Sequence, residues 1–237
     1  MINKSLLKAE VSKFGIDLDE IMLDRLDKYA EMLVETNKSL NLTAITAPDE
    51  VLYKHFVDSI SLLSCFEIKN GAKVIDVGTG AGFPGVVLLI VRPDLEITLL
   101  DGTNKRLVFI ENVLTELGLK ADIVHMRAEL AGKDLKYRER FDFVTARAVA
   151  NLNTLSEYCM PFVKVGGIFA PMKSAKTDEE VESAKSALKL LGGEIKNIVP
   201  LNIENCGERY VVLVKKISQT PSKYPRASAQ ISKKPLS

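Results

Sequence analysis

Residues 74–85 read Val-Ile-Asp-Val-Gly-Thr-Gly-Ala-Gly-Phe-Pro-Gly, and the spacing Gly78-x-Gly80-x-Gly82-x-x-Gly85 is the strongest chemical signal in the chain. Glycine reaches positive φ and has no Cβ, so such a run lets the backbone bend sharply and approach a ligand closely. Val74, Ile75 and Val77 are an apolar, β-branched run suited to a buried strand. Pro84 fits the first turn of a helix, and 86–90 (Val-Val-Leu-Leu-Ile) continue it as a buried one. Strand, glycine turn and helix together make a loop for a nucleotide-type ligand. Without a ligand, four glycines here would weaken packing with no structural return.

Two registers of the loop compete. Counted from Gly80, it is the dinucleotide fingerprint, with Asp101 about 20 residues on for a ribose hydroxyl. Counted from Gly78, it is the Asp-x-Gly-x-Gly-x-Gly loop of class I methyltransferases, which bind S-adenosylmethionine. The strand stops at Val77, directly before Gly78, which favours the second register, as does Asp76. A carboxylate at that strand end suits a sulfonium amino acid and has no obvious use in hydride transfer.

The same ligand should meet the carboxyl ends of the other strands. Asp101 closes Ile97-Thr98-Leu99-Leu100-Asp101 and reads as a ribose acceptor or, alternatively, as an acid supporting a helix N-terminus. Ala128 and Glu129 follow the third strand, where an adenine amine is often met; Glu129 on its own can equally be a surface acid. Arg147 closes Phe141-Asp142-Phe143-Val144-Thr145-Ala146-Arg147, facing an anion or pairing with Asp142 or Glu129. Arg147 and Lys173 are base-positioning candidates, and Lys173 can equally be a solvated turn lysine. His125 reads as packing in its strand, and His55 beside Asp58 and Ser59 has no evident role. No nucleophile–base system and no metal-ligand spacing is legible.

Elements must position these groups. Residues 2–36 and 49–63 read as helices, with Ile21, Leu23, Leu26, Tyr29, Ala30, Leu33 and Val34 at helical spacing. Strands at 73–77, 96–101, 121–126, 141–147 and 167–172 then alternate with helices at 84–91, 103–117, 153–163 and 177–191. Strands at 194–201 and 209–216 lack an intervening helix, so the last should run antiparallel. The expected architecture is an α/β, Rossmann-like sheet, mostly parallel, within a methyltransferase domain at 71–216. A helical extension at 1–70 would precede it.

The net charge of +1 divides unevenly: −4 over residues 1–70, −1 over 71–214 and +6 over 215–237. The stretch 217–237 is basic, rich in Pro and Ser and poor in apolar residues, and reads as a flexible tail that either tracks phosphates or serves solubility. No apolar run reaches the roughly 18 residues of a membrane span. No signal-type h-region opens the chain, and Cys65, Cys159 and Cys206 form no disulfide pattern. A monomeric, cytoplasmic protein is expected.

With these motifs in place, the chain resembles the glucose-inhibited division protein B family of small-subunit ribosomal RNA methyltransferases. The resemblance rests on Asn41-Leu42-Thr43-Ala44-Ile45, His55-Phe56-Val57-Asp58-Ser59, the 74–85 stretch, Ile90-Val91-Arg92-Pro93, Leu99-Leu100-Asp101 with Lys105-Arg106, Ala146-Arg147-Ala148, and Lys215-Lys216 with Thr220-Pro221-x-Lys223-Tyr224-Pro225-Arg226. It implies methyl transfer from S-adenosylmethionine to N7 of a guanine in small-subunit (16S) RNA or the small subunit. It also implies cofactor contacts at Gly78, Phe83, Ala128, Glu129 and Arg147. Two stretches depart from the family pattern: Met172-Lys173-Ser174 stands where Leu-Lys-Gly is common, and Ala227-Ser228 where Gly-Thr-Pro is.

Guanine N7 has an in-plane lone pair and no proton to lose, so the transfer needs placement and no general base. Amine methylation usually goes with an Asn/Asp-Pro-Pro-Tyr/Phe segment, and the chain has no Pro-Pro pair. Cytosine C5 methylation needs a strand-end Cys, whereas Cys159 falls within a helical stretch. A methyltransferase acting on another RNA, a protein or a small molecule remains the alternative, followed by a dinucleotide oxidoreductase or a non-catalytic nucleotide-binding module.

Overall fold

The computed structural model describes residues 1–147, 150–174 and 177–236. Ala148, the end of the Ala-Arg-Ala motif, lies outside them. Helices Lys4–Ser12 and Glu20–Leu40 open the chain, each capped by a side-chain oxygen. Leu6 N–H donates to Asn3 Oδ1 at 3.0 Å and Met22 N–H to Asp19 Oδ1 at 2.7 Å. The single helical stretch expected over 2–36 is therefore two helices, separated at Gly15, where φ is 74°. A second helical run begins at Pro48–Val51 and changes pitch through a π-helical turn, Leu52–Val57, before Asp58–Ser61. Turns of that width are rare and concentrate at functional sites.

Seven strands follow: β1 (Lys73–Val77), β2 (Glu96–Asp101), β3 (Asp122–His125), β4 (Phe141–Arg147), β5 (Val163–Lys173), β6 (Gly193–Leu201) and β7 (Arg209–Lys216). Their order is β3-β2-β1-β4-β5-β7-β6. β1 pairs in parallel with β2 on one side and β4 on the other. β7 inserts between β5 and β6 and runs antiparallel to both, as expected for a strand reached without a crossover helix. Strand order reverses between β1 and β4, so a crevice opens beyond the ends of those two strands.

Alternate strand residues face opposite cores. Val74, Ile97 and Leu99 join the N-terminal helices and the helix Gly85–Val91 in one core. Ile75, Val77 and Leu100 join the helices Leu152–Cys159 and Thr177–Leu190 in the other. The helix Gly85–Val91 is buried along its whole length, because the sheet covers one side and the N-terminal helices the other. The extension at 1–70 thus shares a core with the sheet.

The sequence reading of two regions needs correction. Residues 217–236 are not a loose arm. Tyr224 and Ile231 are buried, and a short helix forms at Ser228–Lys233. The Arg226 guanidinium grips the buried carboxylate of Glu157 with bonds of 2.8 and 2.7 Å. Arg138 donates to the carbonyls of Thr220 and Tyr224 at 2.7 and 2.8 Å. Lys216 is itself buried, donating to Met160 O at 2.6 Å and Thr220 Oγ1 at 2.5 Å. Composition misleads here because a few anchors and one buried acid hold a segment that is polar on average. His125, expected as core packing, is exposed, because β3 is the outermost strand; its Nε2 lies 3.2 Å from Gly102 O.

Candidate active site

Beyond Val77 the chain turns back over the end of β2. The N–H groups of Gly78 and Thr79 both donate to Leu100 O, at 2.8 and 3.1 Å. Gly78 and Gly80 take φ of 72° and 63°. A Cβ built on Gly80 would meet only Gly78 O, at 3.9 Å, so the space in front of the loop is open. Asp101 closes the turn: Oδ2 accepts from Gly80 N–H at 3.0 Å and Oδ1 from Thr103 N–H at 2.7 Å. Its carboxylate is buried, with Arg106 Nη1 3.6 Å away. Each oxygen retains a lone pair for a ligand hydroxyl.

Gly82 and Gly85 serve packing instead. A Cβ on Gly82 would come within 2.5 Å of Tyr29 Oη, and one on Gly85 within 2.3 Å of Leu99 Cδ2. The loop reading grouped Gly82 with the ligand-facing glycines; the structure turns it toward Tyr29, whose hydroxyl donates to Ala81 O. Asp76 also differs from expectation. It is fully buried, and its Oδ2 accepts from Thr79 Oγ1 at 2.7 Å and Gly85 N–H at 2.9 Å. Burial pushes its carboxyl up to about 6, against those two hydrogen bonds. It braces the loop from behind and is not among the residues that line the cleft, while its Oδ1 is buried without a hydrogen-bond partner.

Arg147 projects from the end of β4 into a group supplied by the second helical run. Nη1 donates to Asp58 Oδ2 and to Lys54 O, both at 2.9 Å, and Nη2 lies 3.1 Å from His55 Nδ1. The partner is Asp58, neither Asp142 nor Glu129. The guanidinium also sits 5.0 Å from the Phe83 ring centroid, and the His55 ring stacks on Phe83 at 4.2 Å. Burial first, and the Arg147 charge second, lower the His55 pKa to about 3. Its imidazole is therefore neutral near neutrality. Because a guanidinium can only donate, Nδ1 accepts, and the single ring proton sits on Nε2, 3.1 Å from Thr43 Oγ1.

A cleft of about 600 Å³ joins these parts at the carboxyl ends of the strands. Gly78, Thr79, Gly80, Ala81 and Phe83 line it together with Asp101, Ala128, Glu129 and Arg147. Its volume suits a nucleoside-sized ligand. Lys173 lines a neighbouring cavity of about 270 Å³, with Ile45, Lys54, Asp58, Met172 and Arg209; His55 and Arg147 border both spaces. Lys173 Nζ donates to Ala150 O at 2.9 Å and pairs with Glu180 at 2.7 Å. A larger groove, about 1340 Å³, runs along the opposite ends of β2 and β3. It has mixed-charge walls and shares no lining residue with the cleft or its neighbour.

Sequence reasoning named His55 without finding its partners. His55 and Asp58 stand three residues apart on one helix, so both can reach the same residue, but only the fold reveals that it is Arg147. Ser228 and Ser232, from the C-terminal segment, also line the cleft, and Ser228 Oγ lies 3.1 Å from Tyr158 Oη. No local pattern announced them. Among the described residues there is no cluster of metal-ligating side chains, and no helix is long and apolar enough to cross a membrane.

Comparison with known proteins agrees with this geometry. The sequence profile of the family described as rRNA small subunit methyltransferase G matches residues 22–210. A ribosomal RNA small subunit methyltransferase G from Acetivibrio thermocellus is 48% identical over 235 residues, covering 98% of this chain and 96% of its own. One from a Thermoanaerobacter species is 45% identical over 240 residues, covering both chains completely. Among solved structures, a SAM-dependent O-methyltransferase from Thermotoga maritima superposes with a TM-score of 0.53 at 17% identity, covering 80% of this chain and 72% of its own. A precorrin-6y C5,15-methyltransferase from Geobacter metallireducens gives 0.52 at 16% identity, covering 73% and 90%. At those identities the structural likeness concerns the fold.

Proposed function

Given that this chain belongs to the rRNA small subunit methyltransferase G family and uses S-adenosylmethionine to methylate small-subunit ribosomal RNA, we propose that the methyl goes to N7 of a guanine held at the mouth of the cleft. The observation that carries this reading is the open glycine floor at 78–80 lying directly against the Arg147–His55–Phe83 group.

S-adenosylmethionine supplies a methyl group on a sulfonium, ready for in-line displacement by a nitrogen lone pair. Gly78 and Gly80 would let the backbone approach its amino-acid portion, Asp101 would offer lone pairs to the ribose hydroxyls, and Ala128 and Glu129 would border the adenine. Arg147 is held rigid by Asp58 and His55, so its remaining N–H groups are presented in a fixed direction to a carboxylate. Phe83 is stacked between Tyr29 and His55 and lies 5.0 Å from the Arg147 guanidinium, so it holds that group in place at the cleft wall. No chain group has to remove a proton, since N7 carries none. Lys54, Lys173 and Arg209 line the adjoining cavity together with Asp58, each beside a carboxylate. Ribosomal RNA as substrate supports a cytoplasmic site of action.

Chemical cleavage at 7-methylguanosine, mapped on 16S RNA from cells with and without this protein, tests the assignment. One cleavage site should vanish with the protein. An unchanged pattern refutes N7 as the acceptor.

A further inference from the structure

The segment 42–45 forms the rim between the two cavities: Leu42 and Thr43 line the cofactor cleft, and Ile45 lines its neighbour. The neighbour is walled by Lys54, Lys173 and Arg209, paired with Glu50 at 2.5 Å, Glu180 at 2.7 Å and Asp58 at 3.6 Å, and by the apolar Ile45 and Met172. Its apolar part suits a base. A base arriving from that side would meet the cofactor cleft along the shared border of His55 and Arg147, beside Thr43.

Thr43 is pinned. Its N–H donates to Asn37 Oδ1 at 2.8 Å, and Asn37 Nδ2 donates to Thr43 O at 2.9 Å. Its side-chain oxygen already receives two hydrogen bonds, from Ile45 N–H at 3.0 Å and from His55 Nε2–H at 3.1 Å. A hydroxyl has two acceptor sites and one donor. With both acceptor sites filled, what Thr43 can offer a ligand is its O–H. The polarity is imposed from a distance: Arg147 forces Nδ1 of His55 to accept, which puts the ring proton on Nε2 and loads the Thr43 oxygen.

We propose that Thr43 is a specificity-determining residue whose hydroxyl donates to O6 of the target guanine, next to the N7 that takes the methyl. This rests on the N7-guanine reading above. Guanine presents an acceptor, O6, beside N7, whereas adenine presents an amine. A donor-only hydroxyl accepts the first and opposes the second. The other oxygen it could meet is the carboxylate of the cofactor, and the test separates the two.

The substrate is 16S RNA carrying, at the position mapped by cleavage, either guanosine or 2,6-diaminopurine riboside, which keeps N7 and replaces O6 with an amine. The wild-type protein should prefer guanosine by at least about tenfold in kcat/KM, the equivalent of one well-placed hydrogen bond. Thr43→Val should lose about tenfold more on guanosine than on diaminopurine and so erase the preference. Thr43→Ser should retain it. Equal wild-type rates on the two bases overturn the proposal whether or not any variant folds. A Thr43→Val protein that keeps the preference but binds S-adenosylhomocysteine about tenfold more weakly also overturns it, assigning the hydroxyl to the cofactor. A wild-type protein that transfers no methyl to N7 of the natural RNA refutes the functional reading itself, and this inference falls with it.

Discussion

Arg226→Ala should be among the most damaging single substitutions outside the cleft. The Arg226 guanidinium makes two bonds, of 2.8 and 2.7 Å, to Glu157, whose side chain has no solvent exposure. Removing one partner of a buried ion pair leaves the other charged and desolvated, at about 3–5 kcal/mol. Two facts favour the lower end: Arg226 N–H also reaches Glu157 Oε1 at 2.8 Å and survives the change, and the arginine side chain is 23% exposed. A loss of about 3 kcal/mol corresponds to a fall in Tm of roughly 6–12 °C for a chain of this size. Urea unfolding of the wild type, Arg226→Ala, Glu157→Gln and the double variant forms a cycle. Because Gln removes the stranded charge, the double variant should regain more than half of the loss. A change within about 0.5 kcal/mol for Arg226→Ala, or a double variant no better than the single, would refute the buried-charge argument. A second readout follows from position: Ser228 and Ser232 hang from this anchor into the cleft, so S-adenosylhomocysteine affinity should fall too.

Gly78→Val places a β-branched residue at φ 72°, which costs roughly 1–3 kcal/mol, and adds bulk at the cleft floor. Calorimetry should show a folded protein with at least about tenfold weaker S-adenosylhomocysteine binding; unchanged affinity removes Gly78 from the cradle. Asp76 and His55 tilt stability in opposite directions. Burial raises Asp76 from 3.8 to about 6, so the folded state holds a proton that the unfolded chain releases, and stability falls as pH rises through that window by at most about 1.4 kcal/mol per unit. Burial and Arg147 lower His55 from 6.5 to about 3, so its stabilisation is present above 6.5 and is lost as pH falls. The wild type should be nearly flat in urea unfolding between pH 4 and 6, whereas Asp76→Asn should lose stability steadily on acidification; parallel profiles would contradict the assigned burial effects. Deleting residues 217–237 removes the exposed Lys223, Lys233 and Lys234 and should flatten the salt dependence of RNA binding by about two log units per log unit of salt. It should also weaken cofactor binding, and a truncated protein with wild-type affinity for S-adenosylhomocysteine would show that the docked segment does not build the cleft.

The sequence alone determined what depends on near neighbours. A β-branched run ending in glycines dictates a strand that turns sharply, and the alternation that follows dictates a parallel sheet with its crevice at the carboxyl ends. From that, Asp101, Ala128, Glu129 and Arg147 could be placed together before any fold was known, because each closes or follows a strand. Tertiary structure decided whatever depends on which distant group fills a given space. It divided the glycines into two that line the cleft, Gly78 and Gly80, and two that make room for Tyr29 and Leu99. It withdrew Asp76 behind the loop, matched Arg147 with Asp58 and His55 from an earlier helix, and tied a polar tail down through Glu157 and a few further anchors. The physical reason is common to these cases. Burial and pairing set the charge state, the hydrogen-bond polarity and the order of a group, and both are properties of contacts between residues far apart in the chain.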